Sequence, residues 1–206
     1  MRYGMAIDVK RCIGCRACSV ACKSNNNLPN GMWWNRVDVD GGEEDCMASG
    51  TYPNSLKMGY VPVACQHCDV PSCVAVCPTG ATAKDPATGI VTQDVEVCIG
   101  CQKCIEACPY GVRSYNAEEP EYVVDFSLGD ADAPKHKASV VEKCTFCGNR
   151  IARGLEPACM ELCLARARFW GDLDDPESAI NQYVQGKETY FLLEEEGTAP
   201  TTIYVR

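Results

Sequence analysis

The chain has 206 residues, a formal net charge of -9 and 17 cysteines, but only 3 tryptophans and 4 phenylalanines. That length allows one or two domains. No run approaches the roughly 20 apolar residues of a membrane helix, and no basic stripe is present to neutralise phosphates; neither a direct membrane span nor nucleic-acid binding is expected.

In chain order, Tyr3, Met5, Ile7 and Val9 alternate onto one face of a predicted strand that leads into Cys12, Cys15, Cys18 and Cys22. Lys23 to Ala64 is a long mixed connection with Asn-rich and Gly/Glu-rich pieces. Cys65, Cys68, Cys73 and Cys77 follow, closed by Pro78-Thr79-Gly80-Ala81. After a turn at Asp85–Gly89, Ile90-Val91-Thr92 with Val95 and Val97 predict a strand into Cys98, Cys101, Cys104 and Cys108. Pro109-Tyr110-Gly111-Val112 closes that run. In both closings Pro stops a short helix and Gly lets the chain turn back. Ser114 to Lys143 is acidic, with a brief basic stretch at Lys135-His136-Lys137. The fourth run, Cys144, Cys147, Cys159 and Cys163, is stretched, and Gly148 to Ala158 is expected to make a helical turn and a loop. In the tail, Asp174-Asp175-Pro176 predict a helix start with an amphipathic stretch to Gln185, then strands near Tyr190–Leu193 and Thr202–Val205.

Sixteen cysteines therefore fall into four runs of four. Cys12-Ile13-Gly14-Cys15-Arg16-Ala17-Cys18 and Cys98-Ile99-Gly100-Cys101-Gln102-Lys103-Cys104 are near-copies, each continuing x3-Cys. This is the ligand spacing of [4Fe–4S] clusters, whose iron favours soft thiolate sulfur. Gly14 and Gly100 would let backbone N–H groups point at sulfur. Disulfides are disfavoured because the C-x2-C pairs are too tight to pair within a run and no apolar leader precedes the first motif. Zinc favours paired knuckles, often with histidine. No run lacks a cysteine, so four [4Fe–4S] clusters are expected and no [3Fe–4S].

In two-cluster ferredoxins the fourth cysteine of each run ligates the other cluster. Transferred here, that rule assigns cluster 1 to Cys12, Cys15, Cys18 and Cys163, and cluster 2 to Cys144, Cys147, Cys159 and Cys22. Cluster 3 takes Cys65, Cys68, Cys73 and Cys108, and cluster 4 takes Cys98, Cys101, Cys104 and Cys77. The expected fold is α+β, with two nested bacterial-ferredoxin-like modules and loop insertions. Residues 65–116 form the inner module, and residues 1–22 plus 144–163 a split outer one. Residues 23–64 and 117–143 are insertions, and 164–206 a tail for packing or partner docking. With each cluster and its thiolates at about -2, the charge reaches about -17, which suits protein partners. Metal binding then supplies folding free energy, so the apo chain should fold poorly.

Other residues carry weaker signals. Cys46, among acidic neighbours, reads as a structural thiol. His67 reads as a packed loop residue that could donate to a cluster sulfur, and His136 as solvated in a charged loop. Trp33-Trp34 fit either core or a docking surface. No nucleophile motif, phosphate loop or acid–base pair appears, so the chain is expected to be non-catalytic.

The order and spacing of the four motifs resemble the iron–sulfur electron-transfer (B) subunits of the DMSO reductase superfamily of molybdopterin oxidoreductases, which includes DMSO, polysulfide, thiosulfate, tetrathionate and arsenate reductases. The resemblance rests on Gly4–Val9, Cys12–Lys23, Cys65–Cys68, Cys98–Val112, Lys143–Cys147 and Gly171–Pro176, and spans nearly the whole chain. It implies a large catalytic subunit holding molybdenum or tungsten on two pterin guanine dinucleotides, and in many complexes a quinone-linked membrane anchor. It implies electrons running through clusters 1, 2, 3 and 4 in that order, with the Cys12 cluster toward the catalytic subunit. Leu164 stands where the family usually has Pro, and the third connection is short for a nitrate-reductase-type subunit. Ser24–Asn27 looks somewhat like the corresponding stretch of the arsenate reductase relatives, without fixing a substrate. A polyferredoxin subunit of a formate dehydrogenase, hydrogenase or carbon monoxide dehydrogenase is the alternative. With no span or leader expected, the chain would be cytoplasmic, or periplasmic by co-export with a signal-bearing partner.

Overall fold

The structure, a computed structural model, describes residues 1–40 and 48–206. Cys46 lies outside the described residues. Each cysteine run occupies the same local unit: an incoming strand, a ligand loop, one or two short helices and an outgoing strand. The first unit is β1 (Tyr3–Asp8), α1 (Ala17–Asn25) and β2 (Asn35–Asp40). The second is β3 (Gly59–Ala64), α2 (Ser72–Ala75) and β4 (Thr82–Lys84), and the third β5 (Val91–Gln93), α3 (Lys103–Glu106) and β6 (Arg113–Asn116). The fourth is β7 (Val140–Lys143), α4 (Gly148–Ala152), α5 (Ala158–Glu161) and β8 (Arg168–Asp172). The tail adds α6 (Ala179–Val184), β9 (Thr189–Tyr190), a 3-10 turn at Glu194–Glu196 and β10 (Thr202–Val205).

The strands pair in a ring. Each outgoing strand lies antiparallel to the next incoming one: β2 on β3, β4 on β5, β6 on β7, and β8 back on β1. The tail then joins, with β10 parallel to β1 and β9 outside it, giving the sheet order β8-β1-β10-β9. Segments expected as insertions thus supply β2, β3 and β7, and residues 164–206 supply three strands of the largest sheet. The core follows the alternation of β1. Met5 and Ile7 are buried with Ile90, Phe146 and Tyr204, and Tyr3 and Val9 pack against them.

Several local expectations shift. α6 begins at Ala179, not at Asp174. Asp172 and Asp175 spend their carboxylates on the N–H groups of Asp174 and Glu177, at 3.1 and 3.0 Å, which makes a turn before the helix. β5 ends at Gln93 because Asp94 accepts the Glu96 N–H at 2.8 Å and turns the chain before Val95 and Val97. The strand near Tyr190–Leu193 is only Thr189–Tyr190, since Leu193 has φ 47°. Only α1 reaches the fourth cysteine of its run; α2, α3 and α5 carry the third and stop short of the fourth. α4 followed by a Gly154 turn forms the helical turn and loop of the fourth run. Among the described residues no helix is long and apolar enough to cross a membrane.

Candidate iron–sulfur sites

The ligand loops share one backbone device. In all four C-x2-C pairs the residue before the second cysteine has positive φ: Gly14 at 67°, His67 at 44°, Gly100 at 66° and Phe146 at 57°. The left-handed turn aims backbone N–H groups back at sulfur, as Phe146 N–H does at Cys144 Sγ, 3.3 Å away. For a side chain this conformation costs about 1–2 kcal/mol. The interior holds the two non-glycines in place. His67 Nδ1 accepts the Val91 N–H at 3.1 Å, and the His67 ring meets Phe146 edge-on with centroids 5.2 Å apart.

Further N–H groups approach the sulfurs at the exits of the runs. Thr82 N–H points at Cys77 Sγ and Ala167 N–H at Cys163 Sγ, both at 3.3 Å, and Val141 N–H at Cys98 Sγ at 3.5 Å. Such donors favour the thiolate. Burial acts to raise Cys77, yet the Thr82 and Thr79 donors bring it down to about 7.

The cysteines gather around separate hollows. Cys12, Cys15, Cys18 and Cys163 line one. Cys22, Cys144, Cys147 and Cys159 line a second, larger one with about 540 Å³ of empty space, whose wall also includes Cys65. Cys77, Cys98, Cys101 and Cys104 line a third. Cys65, Cys68 and Cys108 pack together beside Val63, Tyr110 and Val112. Cys68 is pushed up to about 11, first by burial and then by Cys65, Cys73 and Cys108 around it, against a Thr198 hydrogen bond. Burial and neighbouring thiols also push Cys147 up to about 12 and Cys22 and Cys144 well above the ordinary range. Buried sulfurs crowded in this way hold their protons until a cationic core displaces them. Among the described residues no three His, Cys, Asp or Glu side chains close on a single metal-ion position. A zinc site needs its donors within about 2.0–2.3 Å of one point, whereas thiolates on a cubane's corners stand apart around a hollow. The donor sets fit [4Fe–4S] groups.

Three buried cations stand among these sulfurs, and none was singled out from the sequence. Arg168 is 3 % exposed and lines both the first and the second hollow. Its Nη1 lies 3.7 Å from Cys159 Sγ and its Nη2 donates to Asn35 Oδ1 at 3.1 Å. Arg113 donates through Nη1 to Thr82 Oγ1 and Gln93 Oε1, at 3.3 and 3.0 Å, and both acceptors line the third hollow. Its Nη2 is buried without a hydrogen-bond partner. Lys143 is 2 % exposed and donates to the carbonyls of Cys144 and Val91. A signal was available: Arg113 and Arg168 each stand five residues past the last cysteine of a run, and Lys143 directly precedes Cys144.

The weaker candidates separate. His67 is fully buried and neutral; burial, then Lys143 and Arg113, hold its pKa well below the usual value. His136 is not solvated. Its side chain is 1 % exposed, with Nδ1 on Glu142 and Nε2 on the Asn26 carbonyl at 2.9 Å. Trp34 is buried and meets His136 edge-on, whereas Trp33 is half exposed under the Lys23 ammonium. Lys137 pairs with Glu96 at the surface. Leu164 is exposed, and the chain still turns back so that Ala167 N–H reaches Cys163.

A family described as "4Fe-4S dicluster domain" matches residues 56–123 and 130–173, and one described as "4Fe-4S binding domain" matches residues 12–26. A Halobacterium salinarum protein assigned as the iron–sulfur component of a dimethyl sulfoxide reductase is 47 % identical over 98 % of the chain and 78 % of its own length. The arsenate respiratory reductase iron–sulfur subunit ArrB of a Shewanella species is 38 % identical over 100 % of the chain and 97 % of its own length. The corresponding sulfite dehydrogenase component of Allochromatium vinosum is 34 % identical over 99 % of the chain and 82 % of its own length.

Proposed function

The chain belongs to the 4Fe-4S dicluster family of iron–sulfur subunits, and from that premise we propose that it is the electron-transfer subunit of a molybdenum or tungsten oxidoreductase, carrying four [4Fe–4S] clusters. Its own residues hold clusters and perform no bond chemistry on a substrate. Relatives named for reductases and for a dehydrogenase suit a wire that conducts in either direction.

The observation that carries this reading is the gathering of cysteines from distant runs. Cys163 stands with Cys12, Cys15 and Cys18, Cys22 with Cys144, Cys147 and Cys159, and Cys77 with Cys98, Cys101 and Cys104. Cys108 stands with Cys65 and Cys68, and Cys73 acts electrostatically on the same Cys68. We assign the four ligand sets accordingly, each borrowing its fourth thiolate from a partner run. The modules are residues 65–116 and residues 1–22 with 144–163. Through β2–β3 and β6–β7 they share strands, so they are expected to unfold as one unit.

Cys65 in the wall of the second hollow supports a junction between clusters 2 and 3, and Arg168 lining two hollows supports one between 1 and 2. The order of the wire is then 1, 2, 3, 4. Its Cys12 end is proposed to face a catalytic subunit with two pterin guanine dinucleotides, and its Cys98 end a quinone-linked anchor or soluble carrier. The complex resides in the cytoplasm, or in the periplasm if the catalytic partner carries the export signal.

The test is iron and acid-labile sulfide per chain after anaerobic purification, with EPR of the reduced protein. About sixteen irons and coupled [4Fe–4S] signals are expected. Zinc in place of iron, or about twelve irons or fewer, would overturn the reading.

A further inference from the structure

We propose that Arg168, Lys143 and Arg113 are fixed cations standing one in each of the three gaps between successive clusters, and that each raises the reduction potentials of the two clusters beside it. The inference rests on the four-cluster reading above.

The placement is geometric. Arg168 lines both the Cys12-Cys15-Cys18-Cys163 hollow and the Cys22-Cys144-Cys147-Cys159 hollow. Lys143 is bonded to the Cys144 carbonyl, on the hollow whose wall includes Cys65 of the next set. Arg113 lies between the cysteines that follow β3 and the third hollow, held there by Thr82 and Gln93. The two arginines are equivalent in the chain, each five residues past a run's last cysteine and each at the start of its outgoing strand.

Every hydrogen-bond acceptor of the three cations is neutral: Asn35, Met5 and the Cys159 thiol for Arg168, Thr82 and Gln93 for Arg113, and two carbonyls for Lys143. A cation buried without a counter-charge costs several kcal/mol. Three of them in one small interior require negative charge next to them, and a cluster with four thiolates supplies about -2. Burial raises the cysteine thiols nearby, and against it Arg168 draws down Cys18 and Cys159, Arg113 draws down Cys73 and Cys104, and Lys143 draws down Cys73. Each cation therefore acts on sulfurs of both flanking sets, or, for Lys143, on the set across the gap from its own neighbour Cys144.

Reduction adds one electron, taking a [4Fe–4S] core from 2+ to 1+ and the cluster with its thiolates from about -2 to about -3. No proton is required, since the guanidinium stays charged throughout. A fixed cation stabilises the more negative state and so raises the potential. A cation within a gap also shields each cluster from the charge on the next, which would otherwise oppose filling both.

The experiment uses the full chain with its clusters and follows each cluster by EPR in an anaerobic redox titration, with iron counted in parallel. Arg168→Met is expected to shift the reduction equilibria of clusters 1 and 2 at least tenfold toward the oxidised state, about 59 mV for one electron, and to leave cluster 4 in place. Arg113→Met should do the same to clusters 3 and 4, and Lys143→Met to clusters 2 and 3. Arg168→Lys, Arg113→Lys and Lys143→Arg should keep their potentials. Asn35→Asp and Gln93→Glu place a carboxylate on the same guanidinium without changing shape, and should lower the same pairs. If the methionine variants lose iron, these two carboxylate variants decide. Sixteen irons with unshifted potentials, an equal shift of all four clusters, or loss of iron from the charge-conserving variants overturns the proposal. Fewer irons in the unmodified chain would strike the four-cluster reading instead.

Discussion

Gly100→Ala tests whether the ligand loops depend on their left-handed turns. Gly100 has φ 66°, and a Cβ there would stand 2.2 Å from the carbonyl oxygen of Ser139. Two costs add. The left-handed conformation costs an L-residue about 1–2 kcal/mol, and overpacking a fixed interior about 1–3 kcal/mol. The obstacle is backbone, so no rotamer relieves it. Ser139 is tied to Asn116 by its N–H and leads into Val140 and Val141, whose N–H points at Cys98 Sγ. Pushing that strand away loosens a donor to a cluster sulfur. Gly111→Ala is the control. Its φ is 57°, but nothing lies within 4 Å of the added Cβ, so only the conformational cost applies. A total near 3 kcal/mol against about 1 kcal/mol corresponds to losses of roughly 6–12 °C and 2–4 °C in Tm for a chain of this size. The assay is anaerobic thermal unfolding at a fixed scan rate, followed by bleaching of the visible cluster absorbance. Equal shifts for the two variants would refute the steric reasoning.

The borrowed ligands give a second expectation. Cys163→Ser should damage the cluster of Cys12, Cys15 and Cys18 and leave that of Cys144, Cys147 and Cys159 intact; EPR showing the reverse would rule out the assigned ligand sets. Ile180 is fully buried where α6 meets β8, so Ile180→Ala should cost about 2–5 kcal/mol, read by the same unfolding assay, and a loss below 1 kcal/mol would be inconsistent with that burial. Burial lowers the pKa of His136, but the Glu142 hydrogen bond and the Asn26 carbonyl outweigh it and raise it above 6.5 in the fold. The stabilisation is therefore fully present below pH 6.5 and lost as pH rises through the raised value. Wild type should exceed His136→Gln in Tm by more at pH 6 than at pH 9, and a pH-independent difference would contradict the ion pair.

The cysteine runs could be read directly because a cluster ligand loop is local. Three of its four thiolates come from a short stretch of chain, and a cubane tolerates few spacings, so Cys12 to Cys18 and Cys98 to Cys104 declare their chemistry without a fold. The alternation of Tyr3, Met5, Ile7 and Val9 likewise announced β1 and its buried face. Other features depend on segments that meet only in the folded chain. Nothing local obliges β2 to pair with β3, or β10 to lie parallel to β1 across nearly the whole sequence. His67 and Phe146 occupy left-handed positions that composition would reserve for glycine, and the enclosed contact between their rings helps hold them there. His136 lies in a charged stretch, yet Glu142 and the Asn26 carbonyl enclose it. Arg113, Lys143 and Arg168 appear in the sequence as ordinary surface charges. Their burial is decided by tertiary structure, because a cation enters an interior only where negative charge gathers from several segments at once.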